Sequence, residues 1–252
     1  MRRLRELGRR REPGAVFLEG PRLVHEALAS GIGLELLALR EGVDFEAPAR
    51  RTVVLSERAF DAARQTVSSQ GVIALARFEE APITAARAAA AAAGWPLPVL
   101  DGVQDPGNVG TILRTAAACG APAVAVLDGS ADPLGAKAVR AAAGTVFRLR
   151  VARGTWDELG DLPGYGAVAR GGVPPEGIDL DRCAVIGLGN EAAGLRRADL
   201  LPVTIPMAEG VESMNVAAAA AILLSHIGGR VRRRGPGNLS PFGQSQPPDA
   251  RR

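Results

Sequence analysis

Val203-Thr204-Ile205-Pro206-Met207-Ala208-Glu209-Gly210-Val211-Glu212-Ser213-Met214-Asn215, followed by the Ala-rich run from Val216 to Ile227, is the stretch whose reading decides the fold. A β-rich segment stops at Pro206, a polar loop follows, and Ser213 stands where an N-cap would open a helix over 216–227. That helix is almost entirely small and apolar, which predicts burial on several sides and a rigidly held loop before it. Rigid loops are where binding and catalytic side chains are usually presented, and this one carries Glu209, Glu212, Ser213 and Asn215. Taken alone, the plainer reading is a structural cap beside a solvated acidic loop. Two earlier stretches decide against it.

The first is Cys183-Ala-Val-Ile-Gly187-Leu-Gly189-Asn190-Glu191-Ala-Ala-Gly194, a buried strand passing into Gly-x-Gly-x-x-Ala. This is similar to a dinucleotide fingerprint, with Glu209 about twenty residues on where a ribose-binding acid belongs. Glu191 would meet a pyrophosphate with like charge, only 195–200 is available as a crossover helix, and little chain follows. A ligand without phosphates suits the stretch better. The second is a strand over 97–100, a Gly-rich turn holding Asp101 and Asp105, and a helix over 111–119. The turn lacks the Gly-Lys-Ser/Thr of a phosphate loop. Arg114 is the only charge between Asp105 and Asp128. It lies one turn after Gly110, so Asn108 and Arg114 could both face the strand ends.

Composition sets the frame. With 252 residues, 47% of them apolar, the chain can hold one large or two modest cores, and it reads as soluble and globular. Aromatics are 4%, so packing must come from small residues on closely approaching elements. The formal charge of +3 conceals a pattern: residues 1–11 and 229–252 each carry +5, leaving −7 for residues 12–228. An acidic body with basic ends suits a polyanion held by flexible arms. Cys119, Cys183, His25 and His226 stand without metal-ligand or disulfide spacing, so neither a metal site nor a disulfide framework is expected. No signal-peptide pattern and no membrane-length apolar run is present, which points to the cytoplasm.

Along the chain, strands over 16–19, 36–39, 52–55 and 71–76 alternate with helices opened by Pro21 and capped by Ser56, predicting a small three-layer α/β unit within residues 1–78. Residues 79–97 read as a Pro- and Ala-rich linker with a helical turn or two inside. Residues 98–228 form a second α/β unit, with strands over 123–127, 145–151 and 165–169 and helices over 134–143 and 156–162. Arg148, Arg150 and Arg153, then Arg196 and Arg197, form basic clusters along it. Residues 229–252 read as a disordered basic tail.

Three stretches agree in order: Asn108-x-Gly110-x-x-x-Arg114-x-Ala116, then Gly189-Asn-Glu191-x-x-Gly194, then Ile205-Pro-Met207 with Ser213-x-Asn215. Together they resemble the three motifs of the SpoU (TrmH-like) RNA 2′-O-ribose methyltransferases of the SPOUT superfamily. Phe17-Leu-Glu-Gly-Pro-Arg-Leu-Val-His-Glu-Ala-Leu28 resembles, more weakly, the opening of that family's L30e-like RNA substrate domain. The resemblance implies a parallel α/β sheet with a C-terminal trefoil knot, an exception to unthreaded topology. It also implies S-adenosyl-L-methionine as cofactor and a homodimer with sites at its interface. By position, Gly189, Ile205, Met207 and Met214 would contact the cofactor, while Arg114, Asn108, Glu191, Ser213 and Asn215 would serve the reaction. Asn190 departs from the family pattern, where Ala is frequent, and so do Glu209 and Glu212. The expected activity is methyl transfer to a ribose 2′-hydroxyl of structured RNA, with rRNA placed ahead of tRNA. The rival classes are a non-catalytic RNA-binding factor and a dinucleotide-dependent oxidoreductase.

Overall fold

A computed structural model describes residues 14–66, 69–190 and 193–234. The basic arm 1–11, Glu191 and the tail beyond 234 lie outside the described residues.

The first unit is a four-stranded mixed sheet of order β1-β4-β2-β3, built from β1 (Ala15–Glu19), β2 (Leu34–Arg40), β3 (Thr52–Leu55) and β4 (Val72–Arg77). Period-two alternation splits β1 between two cores. Val16 and Leu18 pack with Leu23, Val24 and Ala27 of α1 (Pro21–Ala29), while Ala15 and Phe17 pack with Phe60 of α2 (Glu57–Asp61). Helices therefore cover opposite faces, giving the three layers the sequence pattern predicts.

The second unit is a six-stranded sheet, parallel at every pairing, of order β10-β8-β9-β5-β6-β7. Its strands are β5 (Leu97–Asp101), β6 (Ala123–Leu127), β7 (Arg150–Gly154), β8 (Gly164–Ala167), β9 (Val185–Gly189) and β10 (Leu201–Val203). The strand order reverses at β5, the kind of place where open α/β sheets hold ligands beyond the strand carboxyl ends. One face carries α4 (Pro106–Cys119) and α7 (Val216–Arg234); the other carries α3 (Ile83–Ala92) and α6 (Trp156–Leu159). The short α5 (Ala136–Ala141) sits between α4 and the first unit.

The two units share one core. Phe78 meets Phe147 edge-on at 5.5 Å between ring centroids, and Arg148 pairs with Glu26 at 2.8 Å.

Several expectations are corrected. The segment read as a linker carries α3, whose Ile83, Ala86 and Ala90 are buried on the sheet, with Ala81 bridged to Ala152. Its alanines are strong helix formers, small enough to lie close on a sheet. The helix expected from 111 begins at Pro106, because Asp105 accepts the Asn108 N–H and proline fits the first helical turn. The strand expected over 145–151 is a 3-10 turn, Thr145–Arg148, followed by β7. The helix expected to end at 227 runs on to Arg234, so the first six residues of the expected tail are helical. That helix is not buried on several sides: Ala218, Ile222 (41% exposed) and Ser225 form an open stripe. Among the described residues no helix is long and apolar enough to cross a membrane.

The α4–α5 contact is limited by Gly110, where a Cβ would collide with the Ala138 carbonyl and the Ala141 side chain. Gly110→Ala gains about 1 kcal/mol of helix propensity but forces two backbones apart, an overpacking cost of about 1–3 kcal/mol. A net loss in the urea unfolding midpoint is expected; an unchanged or raised midpoint would contradict the close approach.

Candidate functional site

Beyond the carboxyl ends of β8, β9 and β10 lies a cavity of about 380 Å³. Three loops wall it, over 167–169, 189–195 and 203–214, and the first turns of α7 close its floor. Gly189, Ile205, Met207, Ser213 and Met214 all line it, so the structure gathers four expected cofactor contacts and one expected reaction residue. The close approach at Gly189 is required: a Cβ there would stand 2.5 Å from the Gly194 carbonyl carbon.

Among the described residues the lining carries no carboxylate and no guanidinium. Its polar side chains are Asn190 and Ser213. After Gly189 the chain doubles back, with Asn190 and Gly194 exchanging backbone hydrogen bonds at 3.1 and 2.9 Å. Residues 193–200 form no helix, so this stretch offers no helix N-terminus to a pyrophosphate. At α7 the Asn215 Oδ1 accepts the Ala217 and Ala218 N–H groups at 2.9 and 3.3 Å. Asn215, rather than the expected Ser213, is thus the cap, and it occupies amides a phosphate would need. The cavity suits an apolar ligand with a few hydrogen-bonding groups.

The reaction residues are partly assembled. Asn215 Nδ2 donates to Asn108 Oδ1 at 3.2 Å, joining the third motif to the first. Asp105 caps α4 beneath Asn108 and is held by Lys137 at 2.8 Å. The Lys137 ammonium, then the Asn108 N–H, hold the Asp105 carboxyl below its usual range. Arg114 is not brought to the cavity. It is exposed on α4, does not line the pocket, and has no hydrogen-bonding or ionic partner among the described residues.

Sequence reasoning missed the anchor of the site. Asp101, at the end of β5, is 1% exposed. It accepts the Arg196 backbone N–H at 2.7 Å, Arg196 Nε at 2.5 Å and Trp156 Nε1 at 3.0 Å. Arg196 Nη2 also reaches the Asp128 carbonyl beyond β6. The expected basic clusters are therefore largely spent inside the protein. Arg197 pairs with Asp199 and Asp161 and stacks over Trp156, Arg148 pairs with Glu26, and Arg153 lies 4.0 Å from Asp132. Burial pushes the Cys183 thiol up to about 12, and both cysteines are free. Among the described residues no His, Cys, Asp and Glu group could hold a metal ion.

Residues 97–225 match the SpoU rRNA Methylase family. The chain is 34% identical over 234 residues to the 23S rRNA (guanosine(2553)-2′-O)-methyltransferase of Bacillus subtilis, covering 87% of this chain and 91% of that protein. Among solved structures, the AdoMet-bound rRNA methyltransferase of Sinorhizobium meliloti superposes with a TM-score of 0.72 at 27% identity, over 93% of this chain and 94% of that one. The SpoU methyltransferase AviRb of Streptomyces viridochromogenes shares the fold, with a TM-score of 0.74 at 21% identity over 92% and 97% of the two chains.

Asn215→Ala removes the α7 cap and should cost about 1 kcal/mol of stability by denaturant titration. An unchanged midpoint would argue that the cap is idle. The depressed Asp105 carboxyl supports the folded state fully above its unfolded value and loses that support as pH falls through the lower folded value. Removing it by Asp105→Asn should flatten the acid limb of the stability profile below pH about 4; an unaltered limb would contradict the Lys137 pairing.

Proposed function

Because the chain belongs to the SpoU rRNA methylase family, we propose that it transfers a methyl group from S-adenosyl-L-methionine to a ribose 2′-hydroxyl of ribosomal RNA. The observation that carries this reading is the cavity walled by residues of the second and third motifs, Gly189, Gly194, Ile205, Met207, Ser213 and Met214, to which Asn108 of the first motif is tied through Asn215.

The residues fit the cofactor. The volume is within the range of small-molecule sites, the lining is mostly Gly, Ala, Val, Leu, Ile and Met, and the absence of basic side chains among its described residues suits a cationic, phosphate-free ligand. Bound there, S-adenosyl-L-methionine supplies an electrophilic methyl group on a sulfonium. Gly189, Ile205, Met207 and Met214 hold it and exclude water. A low-dielectric wall favours a step in which opposite charges cancel. The attacking hydroxyl must lose its proton, which passes to water or to an assisting group. Arg114, a guanidinium that keeps its own, serves as the cation stabilising the developing oxyanion. Asn108 and Asn215 orient the acceptor through their shared hydrogen bond, and Ser213 contributes a hydroxyl at the rim.

Arg114 needs a second copy of the chain. On α4 and α7, which pack on each other, Thr111, Arg114 and Ala118 lie exposed beside the open stripe of Ala218, Ile222 and Ser225. A homodimer through this face covers the stripe and lets one protomer present Arg114 to its partner's cavity. The C-terminal half takes the threaded knot of the family, and the stretch after β8 packs on the stretch after β10: Gly172 N–H donates to Thr204 Oγ1 at 2.9 Å, and Val173 and Val203 are bridged. The first unit, within residues 1–78, serves as the L30e-like substrate domain, and the reaction takes place in the cytoplasm.

Purified protein given methyl-tritiated donor should label rRNA from cells lacking the gene. Label in tRNA alone moves the substrate, and label in neither rejects the activity. Arg114→Ala should keep donor binding and lose about 10²–10³ in turnover, as loss of an oxyanion donor does. RNA affinity should fall linearly with salt on logarithmic axes; salt-independent binding would refute a phosphate-gripping surface.

A further inference from the structure

We propose that Asp101, Arg196 and Asn190 are positioning residues for methyl transfer, fastening the donor-pocket loop and the start of the Asn108 helix to one turn. This rests on reading the cavity as the donor site.

The loop over 190–196 contributes Asn190, Gly194 and Leu195 to the cavity wall. Its two ends are pinned to adjacent residues, Gly102 and Asp101. At its start, Asn190 Nδ2 donates to the Gly102 carbonyl at 2.9 Å while its Oδ1 accepts the Ala193 N–H at 2.9 Å. At its end, Arg196 gives a backbone and a side-chain N–H to the Asp101 carboxylate. Asp101 also stands beside Gly189 in the parallel register of β5 and β9. The turn that receives these bonds runs directly into Asp105, the cap of α4, and so into Asn108. Asn108 in turn accepts from Asn215 across the site. A displacement of the loop is therefore passed to Asp105 through two residues of backbone, and from Asp105 to Asn108 through the cap hydrogen bond.

Stability alone does not account for the arrangement. A shielded carboxylate is costly to bury, and apolar side chains of similar volume commonly replace buried ion pairs without loss. What an apolar side chain could not do is hold the loop by two convergent N–H groups of Arg196 while a third, from Trp156, fixes the carboxylate, a directional constraint on where Gly194 and Leu195 stand. Asn190, the residue that departs from the family pattern, adds the second fastening. Arg196 then carries the constraint to β6 through the Asp128 carbonyl.

The test uses full-length protein with the variants Asp101→Asn, Arg196→Gln, Arg196→Lys and the Asp101→Asn/Arg196→Gln pair. Donor affinity is read by calorimetric titration, turnover by methyl transfer, and RNA affinity separately. Each single neutralisation should weaken donor binding at least tenfold with RNA affinity unchanged. The pair should be no worse than its worse single, and Arg196→Lys should recover part of the loss. Single variants with wild-type donor affinity and turnover, or losses that multiply in the pair, overturn the proposal. Should Asp101→Asn fail to fold, Arg196→Gln, whose side chain is 54% exposed, carries the test. A wild-type protein that takes up no donor overturns the functional reading as well; normal wild-type uptake with unaffected variants overturns this inference alone.

Discussion

Backbone meets backbone in this protein wherever position matters. With 4% aromatic residues, the chain cannot fill a core with large rings, and it relies on Gly and Ala to bring elements within contact of each other. Gly110 lets α4 lie against the Ala138 carbonyl, and Gly189 lets β9 turn beneath Gly194. At such distances a single methyl group is felt. The cavity is thus shaped by main chain, which moves little, more than by side chains, which can change rotamer. A site built this way is preorganised for a ligand whose reacting atom must be held in line.

Charge follows the same economy. The arginines that follow the cavity loop are held in ion pairs within the chain, Arg196 with Asp101 and Arg197 with Asp161 and Asp199, and stiffen the loop they belong to. Among the described residues the cavity lining is free of charged side chains, which suits a cationic donor and a reaction that consumes charge. Arg114 is the exception, exposed and unpartnered among the described residues, on a face whose apolar neighbours are also left open. A lone guanidinium on an uncovered helix pair is what a protomer would show if its partner completes the site.

Much of the fold was readable from local pattern. The strands at Thr52–Leu55 and Ala123–Leu127 coincide with the hydrophobic runs, and the parallel second sheet follows from alternating strands and helices. Boundaries failed where a residue's local preference had two outlets. Pro106 reads as a turn but also starts helices; the Ala88–Ala93 run reads as low complexity but buries well; Ser213 is a good cap, yet Asn215 lies closer to the first helical amides. The pocket residues were legible because the motif stretches carry them in order. The Asp101–Arg196 pair was not, because 95 residues separate its members and no spacing rule joins them. Asn190 stood out as a departure, but its two hydrogen bonds required the fold to be seen.

The central claim is that the cavity between the motif loops holds the methyl donor with its reactive carbon toward the Asn108–Asn215 pair. A crystal structure of the donor-soaked protein tests it most directly. The account predicts the donor between Gly189, Ile205 and Met214, with a partner's Arg114 at the open side. Donor density elsewhere, or a filled cavity that Arg114 of neither protomer approaches, would contradict it.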